Sequence, residues 1–180
     1  MTAMRSIDLK TVLENTVPGT YGDLVTRPTG KAVRGGVEDV LAKTDGEAIV
    51  VIDFSTVRCL DISCADEIVG KLLVEYGTAH HFILRGVTAA HCESIEQVLE
   101  RHQLSVVAHD RHGRLQVLGQ IADNARRAFT LLKDGGPAAA TEVASQLEWS
   151  SDTAYQVLEE LLTRRLVQLT ADRYAALAAS

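Results

Sequence analysis

Ala48 to Phe54 constrains the fold of this chain more than any other stretch: Ala-Ile-Val-Val-Ile is unbroken and apolar, closed by Asp53-Phe54. Continuously apolar runs of this kind belong to strands buried inside α/β sheets, where alternation with polar residues is lost. After Ser55, Val57 and Leu60 comes Asp61-Ile62-Ser63-Cys64-Ala65-Asp66-Glu67. From Ala65, the apolar residues Ile68, Val69, Leu72, Leu73 and Tyr76 follow at spacings of 3, 4, 7, 8 and 11, which predicts an amphipathic helix. The connection puts the Ser63 hydroxyl at that helix's start, where amide donors are unpaired and a partial positive charge accumulates. Two readings are open on sequence. Ser63 is an N-cap, with Asp66 or Glu67 favouring the dipole in the first turn. Alternatively it accepts a phosphate, whose charge changes the docking of a partner and is opposed by Asp61, Asp66 and Glu67.

The flanking pattern extends the α/β reading. Asp23 to Thr26 is a candidate strand, and Pro28-Thr29-Gly30 reads as a turn into a helix with Val33, Val37, Val40 and Leu41 on one face, weakened by Gly35-Gly36. A strand at His81 to Arg85 precedes a helix over Ala89 to His102. The apolar Leu104 to Ala108 then turns at Asp110-Arg111-His112-Gly113 into Leu115 to Leu118, a hairpin. Alternating strands and helices of this order predict a mixed sheet with helices packed on it.

The block from Ile52 to Leu72 resembles the STAS-like domain, a relative of the STAS domain of anti-sigma-factor antagonists. In the STAS pattern a strand ending in Asp leads to Asp-Ser-Ser-Gly, whose second Ser is phosphorylated; that Ser falls on Ser63 and the Asp on Asp61. Ile62 replaces the first Ser and Cys64 the Gly, while Ser63-Cys64-Ala65-Asp66-Glu67 with Ile68 and Gly70-Lys71-Leu72 is similar to the STAS-like branch. The resemblance implies a regulatory module over residues 1–119 that docks a partner around Ser63, Asp61, Asp66 and Glu67, a histidine-kinase-like ATPase being the implied partner.

From Gln120 the pattern becomes helical. Ile121, Ala125, Phe129 and Leu132 share a face, ended by Gly135-Gly136-Pro137. Helices over Thr141 to Leu147 and about Ser151 to Arg165 follow, and Leu166 to Tyr174 reads as a β-wing. Residues 120–180 thus resemble winged helix-turn-helix domains of bacterial regulators, on Thr141-Glu142-Val143-Ala144, Ser150-Ser151-Asp152-Thr153-Ala154 and Leu158-Glu159-Glu160-Leu161 before Leu166-Val167. The resemblance implies a third helix in the major groove of DNA. Its outward Ser151, Thr153, Tyr155 and Gln156 are then available to base edges or phosphates, and Arg164, Arg165 and wing Arg173 to phosphates. Arg126 and Arg127 touch backbone or pair with carboxylates. Many regulators of this kind bind DNA as dimers, so a homodimer is expected. The competing reading is a solvated face on a protein-docking module, which Asp152, Glu159 and Glu160 on the same helix support.

Charge bears on that choice. The net charge is −6, and residues from Gln120 onward hold six Lys and Arg against eight Asp and Glu, so neither half offers a broad nonspecific nucleic-acid surface. No apolar run approaches the roughly 20 residues of a membrane helix, and Met1 to Lys10 is too polar for a secretory signal, so a cytoplasmic protein with no membrane contact is expected. Cys59, Cys64 and Cys92 lack C-x-x-C spacing and read as reduced thiols, two of them buried, with Cys64 at a helix start the one whose thiolate is favoured. Among the six histidines only His109 with His112 spans a turn, and no metal-ligand helix pair occurs. Gly30-Lys31 fails as a P-loop because Val25 and Ala32 occupy its first Gly and its Ser or Thr. The expectation is a non-enzymatic regulator without cofactor or metal: an α/β STAS-like domain followed by a small winged helix that binds DNA, or alternatively an adaptor whose winged helix contacts protein.

Overall fold

The computed structural model of the chain describes residues 2–17, 19 and 22–179. Met1 and Ser180, the outer limits of the two expected domains, lie outside them. The buried run is β3 (Ala48–Asp53), second in a five-stranded mixed sheet of order β1-β3-β5-β6-β7. It pairs in parallel with β1 (Ala3–Asp8) and β5 (His81–Val87); β5 pairs in parallel with β6 (Ser105–Asp110), and β7 (Leu115–Gly119) runs antiparallel to β6 through the predicted hairpin. A two-stranded parallel pair, β2 (Asp23–Leu24) with β4 (Cys59–Leu60), lies outside this sheet.

The unbroken apolarity of β3 follows from what covers it. Val50 and Ile52, with Phe82, Leu84, Val106, Ala108 and Leu118, belong to one core with α1 (Leu9–Thr16), α2 (Arg27–Ala42), α3 (residues 62–76) and α4 (Ala89–His102). The alternate residues Ile49 and Val51, with Ile83, Val107 and Val117, belong to a second core. It is completed by α5 (Asp123–Gly135), α6 (Ala140–Leu147), α7 (Ser151–Thr163) and the hairpin of β8 (Val167–Thr170) with β9 (Arg173–Ala176). Phe129, Leu132, Leu158, Leu161 and Leu166 lie in that cluster, so the C-terminal helices pack directly on the sheet. No helix among the described residues is long and apolar enough to cross a membrane.

Two local readings change. The polar start forms β1 and α1, and only Ile7 of β1 is buried; this edge strand is held by its parallel ladder to β3 rather than by an apolar face. Pro28, Thr29 and Gly30 lie inside the first turn of α2 rather than in a turn before it. Pro is tolerated there because the amide it removes has no intrahelical acceptor. Gly30 is where α2 meets α3: a Cβ at Gly30 would lie 2.8 Å from Cα of Cys64.

α3 is continuous through Ile62–Ala65, Asp66–Lys71 and Leu72–Tyr76, and its middle segment is π-helical. Residues 64–70 are all buried, because α3 runs between α2 and α4 and has no solvent face at that level. Gly70 admits α4: a Cβ there would lie 2.6 Å from Val98 Cγ1 and 3.0 Å from the His102 ring.

Candidate functional site

At the start of α3 the cap is Asp61, not Ser63. Asp61 Oδ1 accepts the Cys64 amide at 2.8 Å and the Ser63 hydroxyl at 2.8 Å, and Oδ2 accepts the Thr26 amide at 2.8 Å. Asp61 therefore closes two helix starts at once, α3 and α2, and Ser63 is left as a half-buried donor to the capping carboxylate. Burial opposes ionisation of Asp61, but the Cys64 and Thr26 amides and the Ser63 hydroxyl outweigh it and hold its pKa below the ordinary carboxylate value.

Asp66 and Glu67 do not decorate an exposed first turn. Both are buried and tie α3 to its two neighbours. Glu67 Oε1 meets Arg27 at 2.7 Å and Lys71 at 2.6 Å, and its Oε2 faces Arg34 Nε at 3.3 Å without hydrogen-bond alignment. Asp66 meets His102 Nε2 of α4 at 2.8 Å and Arg27 of α2 at 2.9 Å. For each carboxylate burial raises the pKa. His102 and Arg27 overcome it at Asp66, Lys71 and Arg27 overcome it at Glu67, and both groups end below their ordinary values. Adjacent positions on a regular helix diverge by about 100°. Here both divergent sides are occupied by helices, and each carboxylate finds its bases there.

Cys64 is not an activated thiol. Its Sγ lies 3.0 Å from the Thr26 carbonyl oxygen to which it donates, and burial, reinforced by Asp61, pushes its pKa up to about 12. Of the three cysteines one is buried, Cys92 is half-buried and Cys59 is exposed. No cluster of three or more His, Cys, Asp or Glu suited to a metal occurs among the described residues.

On α7 the side chains named for DNA divide. Tyr155 is 57% exposed, and Ser151 and Gln156 are exposed beside it. Thr153 is half-buried, its amide 3.1 Å from the capping Ser150 Oγ and its hydroxyl 2.9 Å from the same oxygen. The arginines are turned elsewhere. Arg164 pairs with Glu160 at 3.3 Å and reaches Ser105 of β6. Arg165, at φ 59°, bonds Glu47 at 2.5 Å and the Thr78 carbonyl, pinning the end of α7 to the sheet rim beside His81. Arg173 pairs with Glu142 at 3.1 Å and donates to the Pro137 carbonyl. Arg126 donates to the carbonyls of Val117 and Gly119, and Arg127 lies over the Trp149 ring at 5.3 Å.

The sequence reading missed Arg27, Arg34, Lys71 and His102. Only the Glu67–Lys71 spacing of four signals any of it. No protein-family model matches the chain, and no curated protein matches it.

Proposed function

We propose that the chain is a non-enzymatic regulator in which a STAS-like α/β module docks a partner around the start of α3, and a winged helix formed by α5 to β9 delivers the output by contacting protein. The observation that supports a protein-directed output is charge use. All six basic side chains from Gln120 onward are engaged within the fold: Arg126 with backbone, Arg127 with Trp149, Lys133 with Asp134, and Arg164, Arg165 and Arg173 with Glu160, Glu47 and Glu142. Phosphate binding draws on cations free of carboxylates, and in this unit only Arg126 and Arg127 have no carboxylate partner. The docking partner suggested by the resemblance is a histidine-kinase-like ATPase, and the functional species is a homodimer.

A second reading keeps the winged helix on DNA, and the exposed Ser151, Tyr155 and Gln156 favour it. Fluorescence anisotropy of the full chain with duplex DNA from its own upstream region, over a salt series, separates the two. The protein-directed reading expects no saturable binding at low salt. Saturable binding that weakens with salt, with Gln156→Ala relaxing sequence preference, overturns it in favour of DNA.

A further inference from the structure

The carboxyl ends of β3, β5 and β6 carry a polar row that neither the start of α3 nor α7 uses. Asp53, Arg85 and His109 are consecutive partners across these strands, on the same face as Val51, Ile83 and Val107. That face is apolar where α5 and α7 cover it and turns polar at its upper end. Beyond Arg85 the β5–β6 register shifts, and Gly86 takes φ +71°. A Cβ at Gly86 would collide with Ser55, so only glycine lets β5 bend here against the loop after β3. The bend opens a pocket of about 450 Å³ lined by Ser55, Arg85, Gly86, His109, Asp110 and Arg111.

The charges of this pocket are unbalanced. The Asp110 carboxylate is spent on its own turn, taking the amides of His112 and Arg114 at 2.8 and 2.9 Å and the Arg114 guanidinium at 2.7 Å. Asp53 accepts the Ser55 amide at 2.8 Å and forms no ion pair with Arg85 across the strands. Among the described residues, neither the Arg85 nor the Arg111 side chain forms a hydrogen bond or an ion pair. The His109 ring lines the pocket, with its Nε2 shut off from solvent and the Gly113 backbone beside it.

We propose that this pocket binds a small molecule through a dianionic group, a phosphoryl or carboxylate, held by Arg85 and Arg111 with the Ser55 hydroxyl beside them and the His109 ring forming part of the wall. Two guanidiniums are the donors that planar or tetrahedral oxyanions select, and the volume admits a metabolite rather than a bare ion. The assignment is independent of the output of α7.

The test is calorimetric titration of the full chain with pyrophosphate and, separately, malonate at constant ionic strength, with sodium chloride as control and the imidazole nitrogen resonances of His109 followed by NMR. Saturable binding of one probe, with the His109 resonance moving on the same isotherm, is expected. Loss of one charge-assisted contact weakens affinity by about tenfold or more, so Arg85→Met and Arg111→Ala should each do so. Arg111 is an exposed turn residue, so its variant tests the site even where Arg85→Met disturbs the strand. Tighter pyrophosphate binding identifies a phosphoryl ligand, and tighter malonate binding a carboxylate. No saturation by either probe, a chloride response of equal size, or affinity unchanged in Arg111→Ala overturns the proposal.

Discussion

On one face of the sheet, α3 carries Asp66 and Glu67 buried between α2 and α4. On the other, α5 and α7 meet the strands through Phe129, Leu132, Leu158 and Leu161, with charge at the edges of the seam, at Glu47, Arg164 and Arg165 and at Asp53 and Arg85. The difference concerns what each seam tolerates. An apolar seam loses stability in proportion to the atoms removed, whereas a seam closed by buried ions fails when any one charge is left alone, since desolvation is no longer offset. The α3 seam also fixes register: with Gly30 and Gly70 admitting close neighbours, only one depth of α3 lets Glu67 reach Arg27, Arg34 and Lys71 while Asp66 reaches His102.

The comparison breaks first at Glu67. Glu67→Ala leaves Arg34, which is only 19% exposed, with Glu38 at 3.9 Å as its remaining carboxylate and takes a partner from Arg27 and Lys71, and should destabilise by about 3 kcal/mol in urea unfolding. A loss below about 1 kcal/mol would show that the seam is solvated and that the two faces do not differ in kind.

Acid separates two sets of buried groups next. Burial holds His80, His91 and His109 below the ordinary histidine pKa, so the unfolded chain takes up these protons first and stability declines as pH falls below about 6.5. Asp61, Asp66 and Glu67 lie below their ordinary values of 3.8, 3.8 and 4.5. Their contribution is complete above those values and is lost as pH falls through the folded-state ones, at about 1.4 kcal/mol for each unit of depression. Urea midpoints against pH should therefore fall in two steps, and Glu67→Gln should flatten only the lower one.

Smaller effects distinguish the cap from its neighbour. Asp61→Ala removes the cap of α3 and the acceptor of the Thr26 amide, for about 1–2 kcal/mol. Ser63→Ala, which deletes a donor from a carboxylate that keeps two amides, should stay within about 0.5 kcal/mol. Equal losses at both positions, read from thermal unfolding, would return the cap to Ser63.

The sequence carried the elements better than the seams. β3, α4, the β6–β7 hairpin and the three C-terminal helices all have strong periodicity or turn chemistry, and the structure has them within a few residues. β1 was hidden because a strand with one buried side chain has no pattern to read. The start of α3 was ambiguous because Asp61 and Ser63 are both good caps two positions apart, and the choice is made by Thr26, 35 residues earlier in the chain. The partners of Asp66 and Glu67 were unreadable for the same reason: Arg27 lies 39 and 40 residues away and His102 lies 36 away, distances no local spacing reports. On α7, periodicity correctly gave the exposed Tyr155 and Gln156, but it could not show that Arg165 turns back to Glu47 across 118 residues.

Another small effect tests the rim. Arg164 is 35% exposed and its partner Glu160 38%, so their pair is screened by water and held at the cost of two flexible side chains. Arg164→Ala should change stability by no more than about 1 kcal/mol, and raising salt from 0.1 to 1 M should reduce even that. Because this pair is weak, Arg164 is the arginine of α7's end that a phosphate can recruit at least cost, whereas Arg165 would have to leave Glu47 and the Thr78 carbonyl together. Any DNA affinity should accordingly depend on Arg164 and not on Arg165. A DNA complex weakened equally by alanine at both positions would show that the rim opens on binding, and that the C-terminal helices do not stay closed on the sheet while they work.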